Sequence, residues 1–252
     1  MPTIYLIHGG FHGGWCWERL VPLLESAGNR AVAPDLPGMG EDRTPLGEVT
    51  LALCADSVAA RIAAEPEPVL LVGHSMGGIT ISEVAERVPD RLLGLVYLAA
   101  RLISGGQSMA DGFKAAHRAG PLLSADVLSI SYDPAHVAET FYNNTPADVV
   151  ATILPRMGPQ PIAPTRTPQT TTAERYGRVP RAYIECTEDH SNPLPSQRAM
   201  QAALPCDPVV TMPTDHSPFY SAPEQLAEHL IRIAETFTAS RNRRSPAAPA
   251  RS

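Results

Sequence analysis

The chain predicts an α/β fold: a doubly wound, mostly parallel sheet of about six strands with a helical cap inserted into it. Short β-rich runs alternate with stretches of helical periodicity, the pattern of repeated strand–helix–strand units. Within the helical stretches the apolar residues share one face, as Leu20, Leu23, Leu24 and Ala27 do at i, i+3, i+4 and i+7. One long segment lacks the alternation, and a loop of that length in a compact domain points to function.

In chain order, strands are expected near Thr3–His8, Arg30–Pro34, Val69–Gly73, Leu92–Ala99, Arg181–Cys186 and Pro208–Met212. Helices fit between them at Trp17–Ala27, Leu51–Ala64, Met76–Val88, Ser196–Ala203 and Pro223–Phe237. Pro223 stands where a first-turn proline belongs, followed by Glu224 and Gln225. The α/β core domain is then residues 1–102 and 176–238. From about Ile103 to Arg178 no strand is evident; "MADGFKAAHRAG", "PAHVAETFYNN" and "PADVVATIL" read as helical fragments. The cap is placed at 103–175, carrying Phe113, Tyr132, Phe141, Tyr142 and Met157, and the Arg- and Pro-rich stretch 239–252 reads as a disordered tail.

Composition narrows the function classes. At 252 residues, 44% hydrophobic and 18% charged, the chain has the make-up of a globular protein with a full core. A net charge of -6 argues against nucleic acid as a partner. No apolar run approaches the roughly 20 residues of a membrane span. "MPTIYLIHGG" has no basic stretch ahead of its apolar one, so no signal peptide and a cytoplasmic location are expected. The four cysteines are scattered, which fits free thiols. Lys114 is the sole lysine among many arginines, a bias of GC-rich bacterial genes. No histidine pair has metal-ligand spacing together with acids, so neither a metal nor a cofactor is expected.

The chemistry is carried by Gly73-His74-Ser75-Met76-Gly77, a G-x-S-x-G placed after an expected strand and before an expected helix. That context makes a strained turn that holds Ser75 out as a nucleophile. Such a serine needs a base, and the base needs an orienting carboxylate. "YIECTEDHSNPLP" offers Asp189, with Glu188 and Glu185 as alternatives; "PTDHSPFYSAPEQ" offers His216. An oxyanion would be met by backbone N–H groups, one from Met76 and one from the glycine-rich loop "HGGFHGG" after the first strand.

With "LIHGGFHGGWCW", "VGHSMGG", "YIECTED" and "DHSPFYSAPEQLAE" the chain resembles the α/β-hydrolase superfamily, in the branch of plant methylesterases and hydroxynitrile lyases. The resemblance covers Thr3–Arg101 and Tyr176–Phe237. It implies a Ser75–His216–Asp189 triad, oxyanion donors at Gly10 and Met76, and an acyl pocket bounded by Phe11, His12 and Trp15. Lyases of that branch carry a Thr where this chain has Gly9 and a Lys where it has Ser217, so the resemblance favours hydrolysis. The expected substrate is a small carboxylic ester, aryl or methyl. Lactone or thioester hydrolysis in a natural-product pathway, and plain small-ligand binding, stay open as rivals. So does pairing of two copies in a homodimer.

Overall fold

The computed structural model of the chain describes the backbone of residues 1–113 and 120–244. In chain order its strands are β1 (Thr3–Ile7), β2 (Arg30–Val32), β3 (Val69–His74), β4 (Leu92–Leu98), β5 (Pro121–Leu123), β6 (Ser129–Tyr132), β7 (Gln160–Pro161), β8 (Arg181–Cys186) and β9 (Val209–Met212). The helices are α1 (Val21–Ser26), α2 (Leu51–Ala63), α3 (Gly77–Arg87), α4 (Pro134–Phe141), α5 (Ala147–Ile153), α6 (Ala163–Arg166), α7 (Leu194–Ala203), α8 (Pro218–Ser221) and α9 (Pro223–Arg244).

Six strands form one parallel sheet in the order β2-β1-β3-β4-β8-β9. β3 and β4 are buried along their whole length, as central parallel strands covered on both faces must be. Alternate side chains feed two cores. Ile4, Leu6, Leu70 and Val72 face Leu226, Leu230 and Phe237 of α9. Tyr5, Ile7 and Leu71 face Val58 and Ile62 of α2 and Ile81 and Val84 of α3. Strand order reverses between β1 and β3, so a crevice opens beyond their carboxyl ends, where ligands bind in open α/β sheets.

Several expected boundaries move, for local reasons. β2 ends at Val32, short of Pro34, whose ring nitrogen has no hydrogen to give a sheet. The first helix splits into a 3-10 turn at Gly14–Trp17 and α1, which opens beside Pro22. α9 runs on to Arg244 rather than ending at Phe237, so residues 239–244 are helical and not tail. The stretch "TASRNRR" holds no Gly or Pro to stop it. Residues 245–252 lie outside the described part, as do 114–119, the rest of the expected helical fragment after a 3-10 turn at Met109–Phe113.

The segment between β4 and β8 is not purely helical. It contains a three-stranded antiparallel sheet, β5-β6-β7, beside α4 and α5. Prolines in both outer strands disguised it: Pro121 and Pro161 are tolerated because each belongs to an edge.

The end of this insertion is tied to α3, the helix that follows Ser75. Buried Glu83 accepts from the Thr170 N–H (2.5 Å), the Thr170 hydroxyl (2.7 Å) and Arg87 (2.8 Å). One turn on, Glu86 accepts from Thr172 N–H (2.8 Å) and Tyr176 N–H (3.2 Å). Glu83→Ala removes the buried carboxylate that answers the Thr170 N–H and hydroxyl and half-frees Arg87, which keeps Asp56 as a partner. The expected cost is about 3 kcal/mol, or roughly 6–12 °C in thermal midpoint. A midpoint within a degree of wild type in a thermal melt would show the clamp to be idle.

Candidate active site

β3 ends at His74, and the next residue, Ser75, has φ +51°, a left-handed conformation rare outside glycine. The surroundings over-determine it. Its N–H donates to Leu98 O on β4 (3.2 Å), and its carbonyl accepts from Gly78 N–H (3.1 Å) and Arg101 N–H (2.9 Å). A Cβ on Gly77 would stand 2.7 Å from His8 O and 2.8 Å from Ile7 O, so only glycine lets α3 start this close to β1. Two further non-glycine residues share positive φ at neighbouring strand ends, Phe11 (66°) after β1 and Ala99 (45°) after β4. Strain of this kind gathers where geometry is being held for a purpose.

Late strands supply the other polar partners. After β8, Asp189 is buried and its Oδ1 accepts from the N–H groups of Ser191 and Asn192, both at 2.7 Å. Its other oxygen meets His216 Nδ1 at 2.7 Å. His216 follows β9 and is 1% exposed; with Nδ1–H given to Asp189, its Nε2 is the free base nitrogen. The imidazole of His216 packs on that of His74, residue-neighbour of Ser75, with centroids 4.6 Å apart. His74 Nε2–H also donates to His216 O at 2.9 Å. The two alternative acids go elsewhere. Glu185 pairs with Arg198 (2.8 Å) and Thr211 (2.9 Å), and Glu188 accepts from Asn144 (2.6 Å). Asp215 is wholly taken up by Asn144 N–H, Thr145, Ser217 N–H and Ser221, which bind the insertion to the His216 loop.

The loop after β1 faces this group. His8 Nδ1–H donates to Gly9 O (2.8 Å) while its Nε2 accepts from Leu36 N–H (3.0 Å). His12 donates from Nδ1 to Gly10 O (2.6 Å), and its Nε2 accepts a hydrogen bond from the Tyr142 hydroxyl. Burial lowers the His12 pKa to about 3, so the ring is neutral and bridges the loop to the insertion. Burial likewise pushes the Tyr142 phenol up, keeping its proton available to give. Met76, 1% exposed, caps the start of α3, where backbone N–H groups lack intrahelical acceptors.

Aromatic rings of the insertion close over the loop. Phe141 lies 5.7 Å from the His216 ring and 4.6 Å from Tyr132, and Phe11 stands 5.5 Å from Tyr132. Beside them is a cavity of about 140 Å³ lined by Phe11, Tyr132, Val137, Leu154 and Met157. An apolar space of that order accommodates a benzene ring. Trp15 contacts His12 on one side (5.4 Å) and carries Arg156 over its ring (4.5 Å). The Phe113 side chain lies outside the described residues. A larger cleft, about 360 Å³, opens at the amino end of β4 among Asp90, Leu92, Arg178, Val179 and Phe237. It holds no histidine and no strained serine, so size alone does not make it the centre of chemistry. Among the described residues no cluster of three or more His, Cys, Asp or Glu could hold a metal ion.

A sequence profile of the alpha/beta hydrolase family matches residues 4–229. The chain belongs to the alpha/beta hydrolase family. This hydrolase is 32% identical to the pyrethroid hydrolase of Sphingobium wenxiniae, over 98% of its own length and 93% of the other's. It is 30% identical to methylesterase 1 of Arabidopsis thaliana, over 92% and 95%. With the longer chloroplastic methylesterase 11 of that plant it shares 31% identity and spans 63% of that protein's length. The crystal structure of a pyrethroid hydrolase from Sphingobium faniae matches it at a TM-score of 0.81 and 30% identity, covering 93% of this hydrolase and 97% of that chain.

Three features of the hydrolase's site escaped the sequence reading. Positive φ at Phe11 and Ala99 has no residue signature, since neither is a glycine. Asp215 answers four donors, two of them from the insertion, a meeting that no local pattern shows. Gln160, 5% exposed, lies against Gly10: a Cβ there would fall 1.6 Å from its Oε1. Its only trace in the sequence is one amide between two prolines, "PQP".

Proposed function

We propose that Ser75, His216 and Asp189 act as nucleophile, base and orienting carboxylate in the hydrolysis of a small ester. By kinship with methylesterases and a pyrethroid hydrolase the protein is a carboxylic ester hydrolase. The observation that carries the triad is the anchored imidazole: His216, held by Asp189 at 2.7 Å, packs on the residue that precedes the strained Ser75.

In this reading Ser75 Oγ attacks the ester carbonyl carbon while His216 Nε2 takes the hydroxyl proton. The imidazolium is stabilised by Asp189, whose other oxygen is already fixed by two backbone N–H groups. Negative charge on the carbonyl oxygen is met by the N–H groups of Gly10 and Met76, each worth about 3 kcal/mol to the transition state. His216 returns the proton to the departing alkoxide, leaving an acyl-Ser75 ester. Water, deprotonated by the same imidazole, then releases the acid and restores Ser75.

The Phe11–Tyr132–Phe141 cluster and the apolar cavity support an aryl or other hydrophobic ester, methyl esters included, with the insertion acting as a cap over the site. Among the described residues no helix is long and apolar enough to cross a membrane. Scattered cysteines support a cytoplasmic enzyme, the arginine-rich and lysine-poor composition a bacterial one, and the acidic balance the lack of a nucleic-acid partner. Rapid mixing with 4-nitrophenyl butyrate tests the chemistry. The expected trace is a burst stoichiometric with enzyme, then steady turnover, with the acyl mass on Ser75 in quenched samples. Tight retention of the acid without turnover would favour a ligand-binding protein instead.

A further inference from the structure

We infer that Gln160 is a substrate-contacting residue and that the enzyme selects esters oxygenated on carbon 2, the atom next to the ester carbonyl. The inference rests on the ester-hydrolase reading and deepens it. Gln160 comes from β7, the short edge strand of the insertion, and its carboxamide reaches Gly10 with no other side chain between: a Cβ on Gly10 would meet its Oε1 at 1.6 Å and its Cδ at 2.7 Å. Both flanks of that strand are fastened. Gly158 N–H donates to Phe11 O at 3.0 Å, Gln160 pairs with Ile130, and Ile162 N–H donates to Leu128 O at 3.0 Å. The strand that carries the amide is therefore fixed beside the loop, and the residue is 5% exposed.

Burying an amide is costly where nothing answers its hydrogen bonds, and Gln160 is buried. The position supplies a reason to accept that cost. An ester whose carbonyl oxygen sits on the Gly10 N–H places whatever hangs on carbon 2 close by. In a 2-hydroxy or 2-oxo ester, rotation about the bond from the carbonyl carbon to carbon 2 brings the second oxygen beside the first. Gln160 then meets it. A carboxamide both donates and accepts, so it serves a hydroxyl or a keto oxygen alike. No bond is made or broken by Gln160 in this role; it binds and discriminates.

The test compares three methyl esters on the full chain: mandelate (2-hydroxy), benzoylformate (2-oxo) and phenylacetate (no oxygen on carbon 2), with methanol release as the readout. For Gln160→Leu, kcat/KM for mandelate and for benzoylformate is expected to fall about five- to tenfold relative to phenylacetate, the size of one neutral hydrogen bond. For Gln160→Glu, whose carboxylate only accepts, the mandelate ratio should hold while the benzoylformate ratio falls. This second pattern is independent of how well Gln160→Leu folds. If all three substrates drop by one common factor in both variants, Gln160 is merely structural and the inference is overturned. No methanol from any ester with wild-type protein would overturn the underlying reading as well, whereas methanol from all three at unmoved ratios overturns only the role of Gln160.

Discussion

Ser75→Ala is expected to lower kcat by about six orders of magnitude, and Asp189→Asn by about four, with both variants still folded. The larger loss follows because alanine leaves no atom to form the acyl-enzyme; what survives is binding and oxyanion stabilisation of water attack. The smaller one is more informative. In Asp189→Asn the Oδ1 position can still accept from the Ser191 and Asn192 N–H groups, so the loop keeps its shape. What changes is the partner of His216 Nδ1: an amide N–H in place of a carboxylate oxygen. The proton on the imidazole then moves to Nε2, the nitrogen that must accept from Ser75, and a base becomes a donor. KM should change little, since neither residue grips the substrate in its ground state. Steady-state kinetics with thermal melts on the same samples decides it. If Asp189→Asn kept kcat within tenfold, another carboxylate would have to orient His216. Glu188 would be the next to examine, because Asp215 already answers four donors.

The strained turn at Ser75 and the His216–Asp189 pair were legible in the sequence because they depend on local context: an apolar run, a serine flanked by glycines, acids after a strand, a histidine before a proline-started helix. The sheet was legible for the same reason, since fully buried parallel strands read as continuous apolar runs. What stayed hidden belongs to long-range meetings. Tyr142 reaches His12 across 130 positions, and Gln160 meets Gly10 from a strand two residues long whose proline argues against a strand at all. Boundary errors have a similar source. Breakers such as Pro34 acted a residue or two before they stand, and α9 continued through a polar stretch that carries no breaker. A pattern shows what an element is made of; the partner that completes a buried polar group is set by the fold.

Acid is expected to unfold this protein at a higher pH than its modest charge implies, because three imidazoles around the site are buried in neutral form. Burial holds the His8 pKa below its usual value, that of His12 at about 3 and that of His74 well below, with His216 and His12 adding repulsion on His74. All three are 3% exposed or less, and His8 and His12 use both ring nitrogens, one as donor and one as acceptor, which a protonated ring cannot do. The sign follows from proton counts. Unfolded histidines titrate near pH 6.5, so below that pH the unfolded chain binds protons that the folded one refuses. Stability is therefore whole above about pH 6.5 and is lost as pH falls, His12 contributing down to about pH 3. His12 removes about 1.4 kcal/mol per pH unit between its unfolded and folded pKa, from a total of roughly 5–15 kcal/mol, and His8 and His74 add losses of the same sign. The check is the thermal midpoint from pH 7.5 to 5, in wild type and in His12→Gln. The variant starts lower, having lost its bond to Tyr142, but its dependence on pH should be shallower, one of the three titrating groups having gone. A midpoint that stays level from pH 7 to 5, or a His12→Gln profile as steep as wild type, would mean these rings accept protons in the folded state. The hydrogen bonds that tie the β1 loop to its neighbours would then need another explanation.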